Sequence, residues 1–163
     1  MALWIILGVI VIIALYVIGV YNSLISMRNK VKNSWAQIDV QLKRRFDLIP
    51  NIVNTVKGYA EHEKDTLERV VEARNKFTSA STPEDRMEAN NELTRTLDRL
   101  MVVVERYPDL KANQGFIQLQ GELSATEDKI SFSRQFYNDI VMGYNTSIQR
   151  FPRNIVAGMF NFT

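Results

Sequence analysis

Few side chains in this chain of 163 residues could do covalent or metal chemistry, and their spacing argues against it. The only histidine, His62, lies in Glu61-His62-Glu63-Lys64. A metal site needs two or three further ligands converging on the imidazole, and the chain has neither a cysteine nor an H-E-x-x-H pair. Glu61 and Glu63 are two residues apart and point away from each other on a helix. A nucleophile–base triad would hang on His62 alone, and no G-x-S-x-G is present. No glycine-rich phosphate loop occurs either, since Gly115 and Gly121 fall inside a helical pattern. His62 reads as a solvated surface residue. The residues imply no catalysis, no cofactor and no metal.

The cations are more informative. From Arg28 to Arg45 there are six basic residues, Arg28, Lys30, Lys32, Lys43, Arg44 and Arg45, against the single acid Asp39. Beside a membrane, each Lys or Arg near an anionic surface contributes about 1 kcal/mol of attraction. Arg28, Lys30 and Lys32 can equally be plain determinants of topology. Arg45 falls on an apolar stripe between Leu42 and Ile49, where a cation must be paired or must face a partner. Two readings are open for it: an internal network that fixes helix register, or a docking surface for protein or lipid headgroups. Tyr137-Asn138 and Tyr144-Asn145 repeat seven residues apart, on one helical face. If buried, both hydroxyls need partners, which polar residues of the first helix could supply.

The element that positions the basic stretch is the N-terminus. Met1 to Ile25 carries no charge, and Ala2 to Val20 is almost unbroken apolar sequence. As a helix at about 1.5 Å per residue, that run matches the hydrocarbon thickness of a bilayer. Trp4 and Tyr21 stand near its two ends, at the headgroup level that amphipathic rings prefer. A cleaved signal peptide would have basic residues before a shorter apolar core and small residues at a cleavage site, and neither is found. The expected organisation is an anchor over residues 1–25 and a helical domain over 26–163. The positive flank predicts an inner-membrane protein with its N-terminus outside and its domain in the cytoplasm. Absence of cysteine fits a reducing compartment. Trp4, Tyr21 and the six cations are the expected contacts with lipid or partners.

Beyond the anchor no stretch alternates apolar and polar residues, so the fold class is all-α. Val31, Trp35, Ile38, Leu42, Arg45 and Ile49 step by three and four. The pattern continues through Val53, Val56, Ala60, Leu67, Val70, Arg74 and Phe77, with a polar gap at Glu63. Pro50 should kink or break this helix. Thr82 then offers an N-cap and Pro83 a first helical residue, opening a helix through Met87, Asn90, Leu93, Leu97, Leu100, Met101 and Val104. Tyr107-Pro108 ends it, and Asp109 to Asn113 makes a short connection. The last helix has the cleanest pattern, a heptad seam through Phe116, Leu119, Leu123, Thr126, Ile130, Ser133, Tyr137, Ile140, Tyr144, Ser147 and Phe151. Pro152 stops it before an apolar tail, Ile155 to Phe160. Long helices with short connections predict an antiparallel up-and-down bundle of three to four helices after one transmembrane helix.

Three blocks carry a family resemblance: Tyr21 to Glu63, Tyr107 to Asn113 (YPDLKAN), and Tyr137 to Phe160 (YNDIVMGYNTSIQRFPRNIVAGMF). On these the chain resembles the LemA family of bacterial membrane proteins over nearly its whole length. The resemblance implies one N-terminal span, a helical bundle usually described as four helices, no established enzymatic activity and no cofactor. It also implies that relatives often continue past the position of Thr163.

Net charge is +2, from 20 basic and 18 acidic residues, which is no nucleic-acid-binding excess. The expected function is a membrane-anchored scaffold or adaptor. Its expected partners are the lipid bilayer, further copies in a homo-oligomer and unidentified proteins. Gly8 and Gly19 permit close approach of spans but, eleven apart, do not form a G-x-x-x-G. The alternative is a membrane-organising protein that oligomerises and binds anionic lipid through the basic segment, by analogy with relatives of the family at magnetosome membranes.

Overall fold

The periodicity resolves into six helices and no strand in a computed structural model that describes Met1 to Thr163. They are α1 (Ala2–Lys57), α2 (Lys64–Ser79), α3 (Pro83–Val104), α4 (Pro108–Lys111), α5 (Gln114–Gln149) and α6 (Arg153–Met159).

Of the two outcomes expected at Pro50, a break does not occur, and α1 runs through it to Lys57. An interior proline costs about 3 kcal/mol. Ile49, Ile52 and Val56, on the turns around it, are fully buried. Each such side chain gains about 1.5–3 kcal/mol on burial, which outweighs the proline. The helix ends instead at the polar gap, in the turn from Gly58 to Glu63. The counted stripe holds across the gap, with Val56, Ala60, Leu67, Val70 and Phe77 buried, and departs by one residue at two separate positions. Ile52 and Ala73 are buried where Val53 and Arg74 are only half-buried.

Thr82 caps α3 as its sequence predicts, the hydroxyl accepting from the Asp85 backbone N–H at 3.1 Å, with Pro83 in the first turn. The expected connection Asp109 to Asn113 is largely taken up by the single turn α4, which starts at Pro108 and plugs fully buried Leu110 into the core. Asn113 then caps α5, its Oδ1 accepting from the Phe116 N–H at 2.9 Å. The seam of α5 buries Phe116, Leu123, Thr126, Ile130, Tyr144 and Ser147 and half-buries Leu119, Ser133, Tyr137 and Ile140. Phe151, expected as its last member, is 76 % exposed. α5 has already ended at Gln149, so the three–four spacing no longer carries it inward.

The chain forms two compact units. In Ile38–Phe132, side-chain pairs give the helix directions. Phe46 stacks on Phe77 at 3.9 Å, and Lys76 bonds Glu92 at 2.7 Å, so α2 runs against both α1 and α3. Arg45 meets Glu127 while Tyr59 meets Asn113, so α5 runs against α1. This is the up-and-down four-helix arrangement. The other unit, Met1–Gln37 with Ser133–Thr163, pairs the earlier part of α1 with the later part of α5 and with α6. Trp35 meets Tyr137 edge-on at 5.8 Å, and Val20, Leu24, Tyr144, Val156, Ala157 and Phe162 form its buried cluster.

Candidate functional site

Two groups of residues stand out chemically, one in each unit. In Ile38–Phe132 it is Arg45, 2 % exposed among apolar side chains. α1 places it one turn past Leu42 and one before Ile49, both fully buried, so helical spacing alone drives the guanidinium inward. Its Nη1 donates to Asn90 Oδ1 at 2.6 Å and to Thr94 Oγ1 at 3.0 Å. Its Nη2 lies 3.6 Å from Glu127 Oε2 at the surface. Burial pulls the Arg45 pKa below its ordinary value, and the charges of Glu127 and Asp98 oppose that. The Nε, and Oε1 of Gln41 one turn earlier, are buried without a partner.

Arg45 is therefore withdrawn from the expected lipid or partner contacts, because its charged head is enclosed by α3 and α5 within the same unit. The partners were partly legible. Asn90 sits on the apolar stripe of α3 between Met87 and Leu93, the same polar-on-apolar signal that singled out Arg45. Nothing in the sequence paired the two. Asp39, the lone acid of the basic stretch, is tied on both sides: Lys43 bonds it at 2.8 Å and Arg86 also binds it. Burial alone would raise its carboxyl pKa, but the hydrogen bonds from Lys43 and Arg86 bring it below the ordinary value. Lys43 thus has an internal partner, while Arg44 is exposed.

The remaining expected contacts lie in the other unit. No residue from Ala2 to Gly19 is buried; Trp4 is 74 % exposed. Tyr21, at the end of the apolar run, touches Phe160 and Phe162 edge-on at 4.9 and 5.6 Å. The Arg28 guanidinium lies 5.4 Å from the centre of the Phe162 ring, within cation–π reach. Lys30 and Lys32 are exposed. Sequence reasoning noted the apolar tail but missed that it folds back onto Tyr21. Pro152 was its only local signal, marking a turn rather than an end. Tyr144 is buried in this cluster, and its hydroxyl finds no partner from the first helix.

His62 is exposed in the turn after α1 and lines a cleft of about 760 Å³ with an apolar floor of Val53, Leu67 and Val71. Glu61, Glu68 and Glu72 stand around it with Lys57 and Lys64.

The sequence profile of the LemA family matches residues 34–163. The chain is 29 % identical over 141 residues to the protein LemA of Metamycoplasma hominis, covering 86 % of this chain and 64 % of that one. It is 25 % identical over 168 residues to the magnetosome protein MamQ 2 of Paramagnetospirillum magneticum, covering 87 % and 62 %. To the magnetosome protein MamQ of Magnetospirillum gryphiswaldense it is 23 % identical over 168 residues, with the same coverage. The chain thus spans less than two thirds of the length of these relatives.

Proposed function

The chain belongs to the LemA family, and from that premise we propose that it is a membrane-anchored helical scaffold or adaptor without catalytic activity. One observation carries the reading. The first part of α1 is long and apolar enough to cross a membrane, yet every residue from Ala2 to Tyr16 is exposed. The core helix of a soluble protein would be buried over such a stretch; this one has its apolar surface free for lipid. The same helix passes without a linker into the packed cluster around Leu24, so the anchor holds folded structure at the membrane surface.

The scaffold is set in the bacterial inner membrane with its bundle on the cytoplasmic side. It associates with its own copies through the span and offers its helical surface to other proteins. Light scattering of the full chain, in mild detergent and in lipid nanodiscs, tests this. A defined oligomer in both supports the scaffold; a strict monomer in both removes self-association.

A second reading is favoured by Arg28, Lys30 and Lys32, which are exposed just beyond the span with no acid among them. In it the protein organises anionic lipid through this segment. Added salt shortens the Debye length from about 10 Å at 0.1 M to about 3 Å at 1 M, so such lipid binding must weaken. With the chain in neutral nanodiscs, capture of anionic vesicles should fall at high salt and on neutralising the three cations together. No capture at low salt removes this reading.

A further inference from the structure

We propose that the C-terminal segment Phe151–Phe160 is a second membrane contact, an interfacial helix whose apolar face sits at the headgroup boundary of an anionic bilayer. The inference rests on the reading that the first part of α1 spans the membrane.

Three observations converge on it. The first is depth. Val156 and Ala157 of α6, with Phe162 just beyond it, are buried in one cluster with Val20, and Val17 packs against that cluster. Val17 and Val20 are the last turn of the apolar run, one residue before Tyr21. Whatever depth the span gives this turn, α6 shares it. The contacts of Tyr21 with Phe160 and Phe162 fix the same level from the aromatic side.

The second is the outward face. Phe151, Ile155 and Met159, four residues apart, are 76, 55 and 66 % exposed, and Phe160 is 46 % exposed. Ile155 and Met159 share one side of α6, opposite the buried Val156 and Ala157. In water this would be an unusual concentration of bare large apolar side chains for so short a stretch. Beside a span that is itself uncovered, it extends the surface that lipid already occupies. Amphipathic segments lie in this way in the plane of the headgroups, apolar face down.

The third is charge. After Asp139 the chain has no acid, and its only charges are Arg150 and Arg153. Both flank Phe151-Pro152, and Arg28 stands over the Phe162 ring. Arg153 is steadied by a 2.8 Å bond from its Nη1 to Ser147 Oγ. Cations around an apolar face are the complement of anionic headgroups over acyl chains.

The chain has no cysteine, so single labels are unambiguous. Ile155→Cys, Met159→Cys, Ile12→Cys in the span and Ser81→Cys in α3's exposed approach are each nitroxide-labelled. The full chain is placed in phosphatidylcholine vesicles containing phosphatidylglycerol. Collision rates are measured with oxygen, which concentrates in lipid, and with a water-soluble nickel chelate. At 155 and 159 oxygen should dominate, as at 12, with the reverse at 81. Nickel dominance at 155 and 159, with 12 still in lipid, overturns the interfacial helix and leaves the anchor standing. Nickel dominance at 12 overturns the anchor and this inference together. Spin–spin broadening at 155 or 159 that vanishes on dilution with unlabelled protein means a second copy covers the face, and also overturns it. All four positions are exposed, so the labels displace no core side chain.

Discussion

A guanidinium at 2 % exposure makes unequal demands on its neighbours. Removing Arg45 removes the charge as well, so Arg45→Met leaves mainly the Asn90 amide oxygen unpaired. Thr94 keeps its bond to the Asn90 carbonyl at 3.1 Å. The expected loss is about 1–2 kcal/mol, the cost of one unsatisfied polar group. Asn90→Ala removes the closest acceptor and keeps the cation buried, which should cost more, about 3 kcal/mol. Denaturant unfolding of the full chain in mild detergent, followed by helical circular dichroism, should rank the two in that order. The reverse order would mean that the network does not hold the charge. Asp39 gives the pH-dependent counterpart. Its folded-state pKa lies below the ordinary carboxylate value, so the unfolded chain binds the proton more tightly. The stabilisation is full above the unfolded value of about 4 and is lost as pH falls through the folded one. Asp39→Asn should therefore lower the unfolding midpoint at pH 7, and the gap from the parent should close in acid. The positions of both residues were legible, but their partners were not. A stripe shows which side chain turns inward, whereas the meeting of residues 45 and 90 is decided by helix directions that no local pattern encodes.

At the level of the element, α5 provides the sharpest test of register. Leu123→Ala should cost about 2–5 kcal/mol, because the side chain is buried and its loss leaves a cavity. Ile140 lies on the same seam but is only half-buried, so Ile140→Ala should cost roughly half as much, about 1–2 kcal/mol. Lys111→Ala, which loses only an exposed ion pair with Glu105, should stay within roughly 0.5 kcal/mol. Equal melting temperatures for the parent and Leu123→Ala would place the seam on another face. This helix was readable because its period is unbroken from Phe116 to Ser147 and its cap, Asn113, is local. α1 was readable up to Ile49. Beyond Pro50 the counted stripe still held at Val56, Ala60, Leu67, Val70 and Phe77, but the unbroken run of the helix through the proline was not legible, since the burial of its neighbours is invisible in one dimension. The opposite error occurred at residues 153–159. There a proline correctly marked the end of one helix, but the apolar letters after it did not reveal a further helix turned back onto Tyr21.

For the whole molecule the decisive quantity is the side of the membrane on which the bundle lies. The physical cause is confined to a few residues. Arg28, Lys30 and Lys32 follow the span closely and are exposed, while no Lys or Arg precedes it. Short basic flanks are retained on the cytoplasmic side, so these cations should set the orientation. Arg150 and Arg153 belong to the same unit and add to the same sign of charge, with no acid between Asp139 and the last residue. Single cysteines at Ser81 and Ser124, both exposed and in a chain otherwise free of thiols, report the outcome. In intact cells they should resist a membrane-impermeant thiol reagent and react fully after lysis. Equal labelling before and after lysis would put the bundle outside and move any scaffold role to the outer face. The cause can be tested apart from the outcome. Moving two of the three cations to positions before Leu3 should make Ser81→Cys and Ser124→Cys reactive in intact cells, in part or completely. Neither cysteine lies near the altered residues in sequence, so a change in their labelling reports inversion rather than local exposure. If labelling stayed unchanged after the charges were moved, the bundle's folding would be setting the topology, and the basic flank would be free for lipid alone.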